Sequence, residues 1–141
     1  YEAQENVSVK IVLPKQLTDH CEISAQTNLL CISSLDIRRI EYDGSADSVI
    51  IDNSTGSIEL TSKSDMDITA DKINGVLDIN LWRARATVHI SEENIPAVEN
   101  NGRKCSIAYI KDGKTYEPDT AEKSGVIKAA GIGTDVVVEI K

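Results

Sequence analysis

The stretch "STGSIELTSKSDMDITADKINGVLDINL", residues 54–81, decides which β architecture the chain adopts. Short apolar runs that alternate with polar residues indicate β-strands. Apolar pairs recur roughly every nine to ten residues, a spacing that could form the rungs of a parallel β-helix. However, the repeat has no fixed consensus and covers only about thirty residues, too few for a stable solenoid. We therefore predict antiparallel hairpins, with Gly56 supplying the left-handed turn conformation after "VIID".

The same strand-like pattern continues on both sides of this stretch. Alternating runs include "SLDIRRIEY" at 34–42, "RATVHI" at 85–90 and "KCSIAYI" at 104–110, and "KDGK" at 111–114 predicts a tight hairpin turn. No segment has sustained helical periodicity, and residues 91–99 are either one helical turn or a loop. Strands at intervals of about ten residues are typical of a sandwich or a barrel. The predicted fold class is all-β.

Composition narrows the possible classes of protein. The 141 residues fit one domain, and a chain with one Trp, four Tyr and no Phe needs an aliphatic core. A formal charge of −8 argues against nucleic acid or an anionic membrane as partner, because either would repel the protein. No apolar run reaches the about 18 to 20 residues of a membrane helix. The absence of an initial Met and of signal-peptide features is compatible with a mature exported protein.

The N-terminal stretch "ENVSVKIVLP", residues 5–14, is a regular alternating strand that ends at a proline. Its apolar side carries Val7, Val9, Ile11 and Leu13. Such a strand needs an apolar groove, in its own chain or in another copy. The last segment, "GIGTDVVVEIK" at 131–141, is equally regular, and its apolar face carries Val136, Val138 and Ile140. Both termini are therefore predicted to be strands.

Three cysteines allow one disulfide and leave one free thiol: Cys21, Cys31 and Cys105. If residues 20–25 and 29–34 form a hairpin that turns at 26–28, Cys21 lies directly opposite Cys31. Sequence alone does not fix the pair, but this geometry makes Cys21–Cys31 the preferred disulfide.

No candidate residue forms a recognisable catalytic or metal site. His20 and Cys21 are strand neighbours and point to opposite faces, so they cannot act as base and nucleophile. His89 falls on the face opposite the core, and the lone Trp82 is expected to pack in the core. The histidines and cysteines lack the paired spacing of a zinc site. We predict no enzyme activity, no cofactor and no metal.

The stretch from Asn6 to Pro14, with Val7, Ser8 and Val9 and the alternation onward through Ile11 and Leu13, resembles the N-terminal donor strand of pilins assembled by the chaperone and usher route, especially the α-fimbrial group. The final "GIGTDVVVEIK" is similar to the last strand of such pilins. The resemblance implies an immunoglobulin-like β-sandwich whose groove is filled by a strand donated from the next subunit. It also implies identical or related subunits, a periplasmic chaperone and an outer-membrane usher as partners.

We therefore expect residues 1–14 to be a donor-strand extension and residues 15–141 to form the β-sandwich domain. The expected function is that of a secreted, non-enzymatic fimbrial subunit on the bacterial surface, which polymerises by donor-strand exchange. The alternative is a self-complete β-sandwich that binds a ligand or decorates a particle and inserts its own N-terminal strand. The sequence leaves open whether this strand is exchanged or self-inserted.

Overall fold

The all-β prediction is confirmed by the computed structural model, which describes residues 8–13, 19–119 and 122–141. The strands are β1 His20–Ser33, β2 Asp36–Asp52, β3 Thr55–Ser62, β4 Met66–Ala70, β5 Asn74–Trp82, β6 Arg85–Ile90, β7 Pro96–Asn100, β8 Ser106–Lys111, β9 Lys114–Tyr116, β10 Glu122–Ile132 and β11 Asp135–Ile140. A 3-10 turn, Glu92–Asn94, precedes β7. In these ranges no helix is long and apolar enough to cross a membrane.

The strands stack in parallel as successive coils of the chain. β1 pairs along its length with β2, while β2 pairs with β3 through its first half and with β4 through its second half. Cys21 thus lies beside Ile40, and Ile40 lies beside Ile58, at separations of 19 and 18 positions. One coil therefore takes about the length of β2; β3 with β4 forms the next coil, and β5 with β6 forms the one after it.

The last coil of the chain is inserted into the stack rather than added at its end. β10 lies between β5 and β7, and β11 lies between β6 and β8. After β6, the chain first forms the outermost coil from β7 and β8 and turns back through β9. It then returns as β10 and β11, which fill the space between this outermost coil and the coil of β5 and β6. The C-terminal coil is therefore held by pairing on both sides.

The core lies inside the curled sheet and is mainly aliphatic, as predicted, with Tyr42 as a buried aromatic residue. Inward positions on neighbouring coils are in register, so apolar residues stack: Tyr42 pairs with Leu60 and Leu60 with Ile79. All three side chains are at most 1% exposed. The inward side chains of both halves of the sheet form one cluster. This cluster stabilises the stack because it buries apolar surface that no single coil could bury alone.

Three glycines lie at paired positions near the start of β3, β5 and β10. Gly56 pairs with Gly75, and Gly75 pairs with Gly125 on the inserted coil. Gly75 has φ +123°, and a Cβ there would lie 2.3 Å from the carbonyl oxygen of Gly56. Only glycine permits this backbone conformation at this close approach between coils.

The predicted hairpins in the first half of the chain are wrong. β2 and β3 do not fold back on each other around Gly56 but pair in parallel, and β1 runs through residues 26–28 without turning. The immunoglobulin-like sandwich is not confirmed, because its sheets are antiparallel whereas these coils stack in parallel. The hairpin at "KDGK" is confirmed: β8 and β9 pair antiparallel around Asp112 and Gly113, which both have positive φ.

Candidate functional site

The predicted donor strand lies outside the sheet where it is described. Val7 falls outside the described residues, and residues 8–13 belong to no strand. Val9 is 77% exposed and Ile11 is 61% exposed, whereas Leu13 is half-buried and packs against the protein's own core. Between residues 8 and 13 the segment therefore offers an apolar row that is exposed at Val9 and Ile11 and covered at Leu13.

The predicted last strand is present as β11, but it is an interior strand. Val136, Val138 and Ile140 are buried and face the core. Because β6 and β8 pair with β11 on its two sides, it has no free edge to accept a donated strand. These three residues are part of the core and stabilise the fold.

The predicted Cys21–Cys31 disulfide is absent, and both cysteines are free, as is Cys105. The physical reason is that β1 does not turn: both residues lie on one strand that pairs in parallel with β2 throughout. Cys21 is half-buried beside Ile40, whereas Cys31 is exposed on the outer side beside Ile50. They cannot face each other as cross-strand neighbours.

The outer edge of β1 is the main unfilled feature of the described fold. Within these residues β1 pairs with β2 alone, so a row of backbone groups along its other side has no strand partner. The inward residues Cys21, Ile23 and Leu30 remain half-buried because no coil covers them. From Ile23 to Ser33 the strand carries no charged residue, so it lacks the charges that keep most edge strands apart.

The opposite end of the stack is better protected. β7 begins at Pro96, a residue that disfavours further strand pairing. β8 is covered along its second half by β9, which begins at Lys114. The free edge of β1 is therefore the more open of the two ends to another strand.

A column of acidic side chains runs across the outer surface from this free edge. Register places Glu22 beside Glu41, Glu41 beside Glu59, and Glu59 beside Asp78. The column continues with Lys128, which pairs with Asp78. Like charges on adjacent strands repel, so this column needs cations next to it.

Arg39 supplies positive charge near the free edge, and His20 supplies a ring nitrogen beside Glu41. Arg39 donates hydrogen bonds to Glu41 and to Glu59, the latter at 2.9 Å, and the bond to Glu59 is the main reason that its pKa is raised. His20 Nε2 lies 2.8 Å from Glu41 Oε2, and this hydrogen bond lowers the pKa of Glu41. At the other end of the column, burial and then repulsion from Glu59 raise the pKa of Asp78.

His20, Glu22 and Glu41 together have the composition of a weak cation site. One ligand atom of each lies within 4.8 Å of the others. Glu41, however, already accepts hydrogen bonds from His20 and Arg39, and His20 and Glu22 are exposed. These contacts satisfy one another without an ion, so the group is described as an ion-pair cluster beside the free edge.

The other half of the sheet carries a second polar group on its outer surface. His89 Nε2 lies 2.5 Å from Asp67 Oδ1, and its Nδ1 lies 3.7 Å from Glu139 Oε2. A shallow depression of about 350 Å³ lies next to it, with Asp67, Arg85 and Thr87 among its lining residues. Both histidines thus contact carboxylates.

Two features of the surface differ from the sequence-based predictions. Trp82, expected in the core, is 48% exposed, with the Arg83 guanidinium 5.6 Å from its ring centre. The acidic column was missed, although its spacing was visible: Glu22, Glu41, Glu59 and Asp78 follow one another at 19, 18 and 19 positions. This coil period, rather than the spacing of single strands, was the signal for stacking.

Comparisons with known proteins give no family for this chain. No protein-family model, no curated protein and no solved structure matches it.

Proposed function

We propose that this chain is a non-enzymatic structural subunit that joins other copies of itself by donating its N-terminal segment. The single observation that carries the proposal is the exposure of Val9 and Ile11 on a segment that lies outside every strand. Exposed apolar side chains at alternate positions are typical of a strand that completes another sheet. A secreted fimbrial subunit on the bacterial surface, with the chaperone and usher that the resemblance implies, belongs to the same proposal.

The resemblance to pilins implies an immunoglobulin-like groove as the acceptor of the donated strand. Strand donation requires less: an unpaired edge and an uncovered apolar row, both of which β1 has among the residues that the structure describes. The proposal therefore stands on β-augmentation and does not depend on a sandwich.

The expected strength of the joint follows from the area that it buries. Covering Val9 and Ile11 supplies about 1.5–3 kcal/mol each, and each backbone hydrogen bond adds about 0.5–1.5 kcal/mol. Association costs at least about 4 kcal/mol in lost translational and rotational freedom. The joint is therefore weak to moderate, and assembly is expected at high micromolar rather than nanomolar concentrations.

The second candidate is a self-complete binding module that tucks in its own N-terminal segment. The packing of Leu13 against its own core favours this candidate. In that case residues 8–13 stabilise the subunit that carries them, and their removal lowers its stability.

Light scattering coupled to size exclusion, over a concentration series reaching about 1 mM, separates the two candidates. We expect the full chain to self-associate and the chain that begins at Asp19 to be a folded monomer whose melting temperature falls only slightly, through loss of the half-buried Leu13. Ile11→Asp should abolish association, because it places a charge in the joint. Ser8→Asp, on the other side of the same segment, is the matched control.

A full chain that stays monomeric at every concentration, with a truncated chain that melts much earlier, would overturn the proposal in favour of the self-complete module.

A further inference from the structure

The geometry points to a specific acceptor for the donated segment: the free edge of β1 in a second copy. We propose that the segment lies parallel to β1, as the coils of this stack lie parallel to one another, with Val9 beside Cys21, Lys10 beside Glu22 and Ile11 beside Ile23. This inference rests on the proposed function and adds its partner, orientation and register. Three observations carry it.

The first observation is the match of apolar rows. The inward side of β1 presents Cys21 and Ile23, which pair with Ile40 and Tyr42 below and have no coil above them in the described residues. Val9 and Ile11 have the same spacing of two and are exposed. In the proposed register Val9 extends the inward column of Cys21 and Ile40 by one layer, and Ile11 extends the column of Ile23 and Tyr42.

The second observation is charge. When Val9 and Ile11 point inward, Lys10 points outward and falls on the column of Glu22, Glu41, Glu59 and Asp78. At the other end of these four carboxylates stands Lys128, beside Asp78. Lys10 would thus place a cation at the open end, as Lys128 does at the closed end. A shift by two residues in either direction would put Lys10 beside His20 or Ser24 and lose this match.

The third observation is chain length, which assigns the segment to a second copy. Consecutive coils place partners such as Cys21 and Ile40 about one coil apart along the chain. Val9 precedes Cys21 by only 12 positions, and only residues 14–19 connect Leu13 to β1. A parallel crossover needs about a dozen connecting residues or more, so a segment parallel to β1 cannot come from the same chain.

This arrangement is reciprocal. The donated segment is tied to the start of its own β1 by six residues, so donor and acceptor lie at the same end of each copy. Two copies facing each other can therefore exchange segments through the same surface, which gives a closed two-fold dimer. A longer filament would need a further contact at the end formed by β7, β8 and β9.

Cross-linking tests the register in the full chain. Val9→Cys is combined with Cys31→Ser and treated with a short thiol cross-linker, because neighbouring positions on paired strands lie about 5 Å apart. Mixing ¹⁴N- and ¹⁵N-labelled chains shows by mass spectrometry whether a link joins two copies. We expect mixed-label peptides that join the introduced thiol at position 9 to Cys21. Ser8→Cys, which points to the other side, is the matched control and should link to Cys21 at least about fivefold less.

Charge reversal tests the second observation. Lys10→Glu should raise the dimer dissociation constant about tenfold or more, since it adds a fifth acidic group to the column. Adding Glu22→Lys to the same chain should restore the constant to within about threefold. Lys63→Glu, an exposed change between β3 and β4, makes the same change in net charge and should leave dimerisation unaltered.

The outcomes separate this inference from the proposed function. Self-association with links from the position 9 thiol to some residue other than Cys21, or with no rescue by Glu22→Lys, would overturn the register and leave strand donation standing. Links found only within single-label chains would overturn the second copy as acceptor. A chain that is monomeric up to about 1 mM would overturn both proposals.

Discussion

The Thr134 hydroxyl accepts a hydrogen bond from the Leu81 N–H, although 53 positions separate the two residues in the chain, and its one proton lies within reach of the carbonyl oxygens of Leu81 and Ala130. The Leu81 N–H donates to Thr134 Oγ1 at 3.1 Å, and the Thr134 hydroxyl lies 2.9 Å from the Leu81 carbonyl oxygen. Thr134 is fully buried in the turn between β10 and β11. It joins the inserted coil to the coil of β5 and β6 at the point where both change direction.

Replacing Thr134 with Val should lower the free energy of unfolding by about 1–3 kcal/mol. The shape is kept, but buried backbone groups of Leu81 lose their partner. Urea denaturation measures the change, with the exposed Thr115→Val as control. Equal stability of the two variants would contradict a structural role for the hydroxyl.

Gly75→Ala should be among the most destabilising single changes in the chain, by about 2 kcal/mol or more. The new Cβ meets both a positive φ and the carbonyl oxygen of Gly56 at 2.3 Å. Gly113→Ala is the matched control, because φ there is +74° but no atom lies within 4 Å of the new Cβ. Thermal melting of the pair separates backbone strain from the clash between coils; a similar loss in both would show that the clash contributes nothing.

Asp78→Asn should stabilise the protein near neutral pH by about 0.5–1 kcal/mol, since it removes a half-buried charge beside Glu59. The pKa of Asp78 is raised by burial, so between its ordinary and its raised value the folded chain binds more protons than the unfolded chain. Stability therefore falls as pH rises through that window. The gain from Asp78→Asn should vanish below pH 3.8, the ordinary pKa of this group. The exposed Asp43→Asn is the control; a constant gain at every pH would contradict the titration of Asp78.

Asp135 should show the opposite pH dependence. A hydrogen bond from Ser106, and then one from Arg85, lower the pKa of Asp135. Its contribution is therefore present above the ordinary pKa and is lost as pH falls through the folded value. Asp135→Asn should cost up to about 1 kcal/mol near neutral pH, because the group is partly exposed and screened, and little in strong acid. Ser106→Ala should reproduce part of the loss; no loss in either variant would contradict this account.

The sequence predicted which segments form strands better than it predicted how those strands pair. Alternation is a property of single strands, so β3, β5, β6 and the hairpin of β8 and β9 could be recognised locally. Whether a strand pairs with its neighbour in a hairpin or with a partner one coil away depends on contacts that alternation does not encode. Gly56 illustrates the difficulty: a positive φ suits a hairpin turn and equally suits a bend between stacked coils.

The candidate site was predicted only in part for the same reason. Val9 and Ile11 were identified as an apolar row, and they are exposed. The edge of β1 could not be found, because the predicted hairpin at 26–28 gave each half of that strand a partner that it does not have. The missing information was the 19-position spacing of Glu22 and Glu41, which lie side by side on β1 and β2. This spacing is recognised only by a search for repeats as long as a whole coil.

The inserted position of the C-terminal coil sets an order of events during synthesis. β1 to β6 can stack as they leave the ribosome, since each coil rests on one already made. β7 and β8 cannot take their final places until β10 and β11 exist to lie beneath them. A chain cut short before residue 122 therefore leaves its outermost strands without the strands on which they pack, and its core open to chaperones and proteases. The outermost coil therefore depends for its attachment on strands that follow it in the chain, because β10 and β11 join it to the rest.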